Sequence, residues 1–449
     1  MNKTYFIVYF SDFFFGRKAN CLLLHFGINR EKMELGKYSF GIGDRFGCQG
    51  KAQLEAIKEA SKQGIEITPV WNKSFREHSL VNTIPADTRK EADKVVKDLN
   101  WTQPYFVDAD HINLSNVSDF IESSDFFTLD VADYIGEKAE IEIINAFIES
   151  NREYIGELRV PGIESSFTIT QEELEKIAGK FLFAIQEAKK IYDYIIKKKG
   201  EGNFIPEISM DEVDLPQTPV ELFFILSAIS MFGIPVQTIA PKFTGRFNKG
   251  VDYAGNIDQF AKEFEEDLLV MDYAIKEFDL PANLKLSVHS GSDKFSIYPV
   301  ISKLITKHNK GIHVKTAGTT WLEELIGLAL AGGEALELVK SIYSKGLERF
   351  EEISAPYSTV IDIDRSKLPD PSEVNQWSGE KLVNSLRHIP DHPEYNPNIR
   401  QLLHLSYKIA AEYGDKYLDM LEKYSEFISK EVRENIYRRH IRRLFSVCS

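Results

Sequence analysis

The sequence predicts an α/β fold, a (β/α)8 TIM-type barrel carrying a long inserted helical region and a helical C-terminal extension. Two observations predict it. Short apolar runs alternate with amphipathic stretches eight times between residues 37 and 334, the mark of βαβ units around a parallel sheet. Ionisable residues recur just past those runs, where a barrel places its active site. An open doubly wound sheet shows the same alternation and is the alternative. The 449 residues exceed one ordinary domain of roughly 100–200 residues, yet a barrel with insertions absorbs more than about 400.

Residues 1–36 form an aromatic N-terminal segment; Asp12 interrupts its apolar run and no A-x-A-like site follows, so it reads as structure and not as a signal peptide. The barrel is expected over 37–334. KYSFGIGDRFG (37–47) reads as a strand ending in a Gly-rich turn, and KAQLEAIKEASKQG (51–64) as an amphipathic helix stopped at Gly64. IEITPVWNKSFREH (65–78) is a strand with a polar exit, followed by a helix over 92–101. PYFVDADHINL (104–114) is a strand and loop, 117–124 a short helix, and DFFTLDVADYIG (125–136) another strand and loop. An insertion over about 137–202 is helical and charged, broken by RVPGIESSFTIT (159–170).

The remaining strands lie in NFIPEISMDEVDLPQTP (203–219), PVQTIAPKF (235–243), KLSVHSGSDK (285–294) and GIHVKTAG (311–318). Helices follow them over 220–232, 257–278, 298–308 and from Trp321 to Leu330. Residues 335–449 make a helical extension expected to pack on the barrel. It contains a loop at 364–379, the segment PNIRQLLHLSYK (397–408) and a basic end, KEVRENIYRRHIRRLF, read as a solvated face, with a homo-oligomer contact as the alternative.

Composition narrows the function. Hydrophobic residues make up 43% and charged ones 27%, enough for a large core and too apolar for disorder. A net charge of −14 argues against nucleic acid as partner. Three cysteines with no C-x-x-C pair indicate neither a disulfide framework nor a thiolate zinc site, and a reducing cytoplasm is the expected compartment. No apolar run reaches the roughly 18 residues that span a membrane. GIGDRFG spaces its glycines G-x-G-x-x-x-G, which does not match the dinucleotide fingerprint, and no P-loop or G-x-S-x-G elbow is present.

The chemistry collects at the strand ends. His111, His289 and His313 each follow an apolar run; three neutral imidazoles there can converge on one divalent cation, and a carboxylate can replace one of them. One such histidine alone is more often a hydrogen-bonded structural residue. His78 and His404 are reserve candidates. Asp110 in DADH and Glu212 in MDE come from separate strands and suit an acid/base pair; Asp108 faces the same way as Asp110 if the strand persists. Asp44, Arg45, Ser74, Arg76, Glu77, Lys294 and Lys315 are the candidate substrate contacts, and Arg45, Lys73, Arg76, Lys294 and Lys315 are cations able to hold a carboxylate. Capping and ion pairing at strand ends are the structural alternatives for each.

GIGDRFG, WNKSFREH, DADHI, MDEVDLPQTP, KGVDYAGN, SVHSGSDKFSIYP, HVKTAGTTWLEEL and NIRQLLHLSYK together resemble the tagaturonate/fructuronate epimerase family over about Lys37 to Leu405. The resemblance implies a metal-dependent carbohydrate epimerase that interconverts D-tagaturonate and D-fructuronate at C4 in hexuronate catabolism. It implies a divalent cation (Zn, Mn, Ni or Co) on His111, His289 and His313, a proton acceptor at Asp110 and a donor at Glu212. The short aromatic segment 1–36 and the first residues of WNKSFREH depart from the family pattern, which leaves a neutral ketose such as tagatose or fructose as an alternative substrate. C4 is β to the C2 ketone, so its proton is not acidified, and retro-aldol cleavage followed by aldol closure fits better than deprotonation. A metal-dependent ketose–aldose isomerase and a non-catalytic sugar-acid binding protein are the other readings.

Overall fold

The computed structural model describes residues 32–316 and 318–445. The aromatic segment up to residue 31, with Cys21, and the terminal residues with Cys448 lie outside the described residues. Ten strands form in chain order: β1 (Tyr38–Gly43), β2 (Thr68–Ser74), β3 (Phe106–Ile112), β4 (Phe126–Asp130), β5 (Gly156–Leu158), β6 (Phe167–Ile169), β7 (Ile205–Ser209), β8 (Thr238–Ala240), β9 (Lys285–His289) and β10 (Ile312–Lys315). Eight of them close a parallel barrel in the order β1-β10-β9-β8-β7-β4-β3-β2, which overturns the open-sheet alternative. β5 and β6 pair antiparallel as a separate ribbon. That ribbon occupies the expected break in the insertion, between a helix at Ile141–Ser150 and a long one at Gln171–Lys199. Thr170 caps the long helix by accepting from the Glu173 amide, and three lysines complement the dipole of its last turn.

The polar exit after β2 is not a loop. Ser74 caps a helix at Phe75–Val81 through a reciprocal capping box with Glu77. The next helix starts earlier than its apolar pattern suggests, with Pro85 at its first turn, and runs to Asp98. The basic C-terminal run departs from a solvated face: Ile436, His440, Ile441, Leu444 and Phe445 are buried. Among the described residues no helix is long and apolar enough to cross a membrane.

The barrel interior follows the two-residue period of its strands. At the N-terminal end Val70, Phe106, Phe126 and Ile205 form an apolar plug with Leu35. Two residues further along the same strands the inward positions turn polar: Asp108, Thr128 and Glu207 meet through the Thr128 hydroxyl. Two further again come Asp110 and Asp130. Along β3, β4 and β7 the sequence thus builds a dry floor, a buried charged layer and an open polar rim. Gly41 is required in this stack. It pairs with Lys315 in the β1–β10 register, and a Cβ there would sit 2.9 Å from Lys315 Cγ, so only glycine lets that side chain lie across the interior.

Candidate active site

Asp110 and His111 are consecutive, so a regular strand would point them to opposite faces. The β3–β4 register shifts between Ala109 and Ile112, and His111 adopts φ 53°, in the left-handed region. This irregularity turns both side chains into the same cavity. A non-glycine residue held there costs on the order of 1–3 kcal/mol, and such strain concentrates at functional sites.

His289 ends β9. Its Nε2 lies 3.0 Å from Glu207 Oε1 and its Nδ1 3.2 Å from Asp211 Oδ1. Glu207 is fully buried, so it fixes the ring and directs the Nδ1 edge toward Asp211 and His111. His111 Nε2 is 3.9 Å from the same Asp211 oxygen, and the two imidazole rings are 5.2 Å apart. One ligand atom from each of His111, Asp211 and His289 falls within 4.8 Å of the others. Burial opposes a proton on His289, yet Asp211 and Glu207 raise its pKa to about 10. Burial would likewise raise Asp211, but His289, His111 and the Ser209 hydroxyl hold it well below the usual carboxylate range. The proton in the Asp211–His289 contact occupies a place a cation can take, as metal binding to such donors releases protons.

Beneath this cluster Lys315 Nζ lies 2.7 Å from Asp108, 2.9 Å from Asp110 and 2.8 Å from Glu207, and it also contacts Thr128 Oγ1. Burial works against the ammonium, and the three carboxylates keep it firmly charged. Asp110 is held below its ordinary range against burial, chiefly by Lys315, then by His111 and His289. Asp108, outside the cavity wall, is pushed up by burial to about 7 despite Lys315.

A cavity of about 430 Å³ brings Arg45, Ser74, Arg76, Glu77, Asp110, His111, Glu212, His289 and Lys315 onto one wall system. His313 is not among them. In the β9–β10 register Lys315 stands level with His289, while His313 stands level with Ser287, one inward position deeper. There its Nδ1 bonds Ser39 Oγ at 2.8 Å, and burial lowers its pKa to about 3. The fold thus brings Asp211, not His313, together with His111 and His289, as the alternative of a carboxylate in place of one histidine allows. Asp44 ties the turn after β1, accepting from the amides of Gly47 and Gln49. Lys294 is buried away from the cavity, its Nζ bonding Asn248 O at 3.0 Å, Val251 O at 2.8 Å and Ser292 Oγ at 2.9 Å. Lys73 bonds the Arg45 carbonyl and His78 bonds Thr83.

Sequence reasoning passed over Glu207 and chose Glu212 above Asp211. The period of two would have found both, because Glu207, Ser209 and Asp211 share the inward side, and Ser209 Oγ donates to Asp211. Lys249, Tyr357, His404 and Tyr407 also line the cavity, with Asp130 and Asp133 among others; Tyr357, His404 and Tyr407 come from the C-terminal extension. A second cavity lies at the opposite end, near the starts of β1 and β2, and lacks a comparable cluster of ionisable groups.

A closed parallel barrel with ionisable groups gathered past the C-terminal ends of its strands defines a (β/α)8-barrel enzyme. The profile of the tagaturonate epimerase family matches residues 17–444. The chain belongs to that family. A tagaturonate/fructuronate epimerase of Thermotoga maritima is 27% identical over 419 residues, covering 90% of this chain and 80% of the relative. Among solved structures, the fructuronate-tagaturonate epimerase of Cohnella laeviribosi superposes with a TM-score of 0.76 in a complex with one glycerol, at 24% identity, covering 91% of this chain and 81% of that one. Its complex with two glycerols gives 0.75 at 25% identity, covering 92% and 83%.

Proposed function

We propose that the protein interconverts D-tagaturonate and D-fructuronate by inverting C4, with a divalent cation held by His111, Asp211 and His289. Family membership supports the substrate pair. The observation that carries the cation is the convergence of these three donors, with the rear nitrogen of His289 fixed by buried Glu207. Two imidazoles and a carboxylate with free cavity beside them suit an open site for Zn, Mn, Ni or Co. A cation there supplies Lewis-acid polarisation of the C2 carbonyl.

The chain's own groups do the rest. Asp110, kept ionised by Lys315, accepts the proton of the C4 hydroxyl. The C4–O bond becomes a carbonyl as the C3–C4 bond breaks, and its electron pair passes into a C2–C3 enediolate. The aldehyde fragment turns its other face, the C3–C4 bond re-forms, and the C4 oxygen regains a proton from Glu212 or Asp110, both on the cavity wall. The C4 hydrogen stays on carbon throughout. The test is turnover of D-tagaturonate in D2O with products read by NMR. Fructuronate carrying protium at C4 is expected. Deuterium at C4 overturns the retro-aldol route, an aldose product overturns epimerisation, and turnover of tagatose without tagaturonate changes the substrate to a neutral ketose.

A further inference from the structure

The cations around the cavity differ in whether a carboxylate already neutralises them. Lys315 has three acidic partners, and Arg45 is paired with Glu77 at 2.7 Å while stacked on Tyr407. Arg76 and Lys249 line the same cavity, and among the described residues no carboxylate ion-pairs with either; Arg76 lies over the Tyr357 ring, 5.8 Å from its centroid, while Lys249 has no such partner. The ammonium hovers over Gly291, where a Cβ would lie 3.6 Å from Nζ. Gly291 accepts a hydrogen bond from the Gly318 amide at 3.1 Å, and on the Gly318 side stands His404. A Cβ at Gly318 would come within 1.9 Å of His404 Nε2, so this ring fits only because residue 318 is glycine.

His404 is 2% exposed, and neither of its ring nitrogens has a hydrogen-bond partner. A buried polar group left unpaired costs about 1–3 kcal/mol, which asks for a ligand. Burial, then the charges of Arg45, Lys249, Arg400 and Lys294, keep the imidazole neutral. It thus presents one N–H donor on the same cavity as an ammonium that no carboxylate pairs among the described residues.

We propose that Lys249 and His404 form the subsite that receives the carboxylate of the substrate, so the C-terminal extension reads the acid end of the sugar. The chemistry is a point charge and a neutral N–H on a carboxylate, a charge-assisted pair. The proposal rests on the sugar-acid reading above for its ligand class, and it sets specificity for the uronate over the neutral ketose.

The test is calorimetric binding of D-tagaturonate and of D-tagatose to the full chain loaded with Mn2+, for wild type, Lys249→Met and His404→Asn. Wild type is expected to bind the uronate tighter than tagatose. Each variant should weaken the uronate by about tenfold to a hundredfold, and tagatose by at least about tenfold less. Equal weakening of both sugars, no weakening, or a wild type that prefers neither sugar overturns the subsite. Lys249 is half-exposed on a loop, so its variant decides the matter should His404→Asn fold poorly. The uronate is brought to its epimeric equilibrium with wild type before titration, so the heats report binding and not conversion. Failure of the C4-epimerase reading would appear as absent conversion with this selectivity intact, whereas failure of the subsite would appear as lost selectivity.

Discussion

His289 ends β9 and Asp293 follows four residues later, and each joins a cluster of histidines and carboxylates. Around Asp293 every partner is internal. Arg400 Nη2 lies at 2.8 Å, His440 Nε2 at 3.0 Å and His388 Nδ1 at 3.3 Å, while Thr319 Oγ1 donates at 3.2 Å. The far side of His440 is taken by the Tyr298 hydroxyl at 2.7 Å, and Asp293 is wholly buried. This cluster ties the loop after β9 to the C-terminal helices. Around His289 the same residue types face a cavity: His289 Nδ1 meets Asp211, itself on the cavity wall, at 3.2 Å, and His111 Nδ1 has no hydrogen-bond partner among the described residues. The difference teaches that residue type does not mark a site; donor atoms left open next to space do.

Substitutions break this comparison in opposite directions. The largest effect is expected from Asp211→Asn, which removes a charged donor from the open cluster. Its kcat/KM for tagaturonate should fall by about a thousandfold or more, while the melting temperature stays near wild type. Activity within tenfold of wild type would break the contrast. Next comes Asp293→Ala, which strands Arg400 in the interior. Stability to urea should drop by about 3–5 kcal/mol, the cost of an uncompensated buried charge. A loss below about 1 kcal/mol would show that the closed cluster holds nothing together.

Glu323 borders the closed cluster through Asn435, which donates to it at 3.0 Å. Burial raises its pKa to about 7 against the pull of Arg439 and Arg400. A folded value above the unfolded one means the neutral carboxyl favours the fold. That contribution is complete below pH about 4.5 and is lost as pH rises to about 7, up to roughly 2–3 kcal/mol. Glu323→Gln keeps an acceptor for Asn435, so it should raise the melting temperature at pH 8 and change it little at pH 5. An equal shift at both would contradict the assignment. The smallest effect sharpens the open cluster: Glu207→Gln keeps a hydrogen bond to His289 but weakens its orientation. Metal affinity measured by competitive chelation should fall about tenfold to a hundredfold.

The strands were legible because each starts as an apolar run, and their eight positions follow directly from it. The count of eight units pointed to a closed barrel but left an open sheet as the alternative, and the polar layering emerges only once the strands are in register. What stayed hidden depends on register and on distant chain. His289 and His313 look alike locally, yet the β9–β10 pairing raises Lys315, not His313, to the level of His289. His111 reaches the cavity only through a backbone irregularity that no side-chain pattern announces. Asp211 competes with Glu212 by one residue, and strand direction decides between them. His404 comes from a helix at Pro397–Leu405, so only tertiary packing sets it beside Lys249.

The most direct test of the open cluster is metal stoichiometry by mass spectrometry on chelator-stripped protein restored with Mn2+, read with tagaturonate turnover, for wild type, Asp211→Asn and His313→Gln. The account predicts one equivalent and restored turnover for wild type and His313→Gln, and neither for Asp211→Asn. Full turnover of stripped wild type, or a cation lost from His313→Gln but kept by Asp211→Asn, would contradict it.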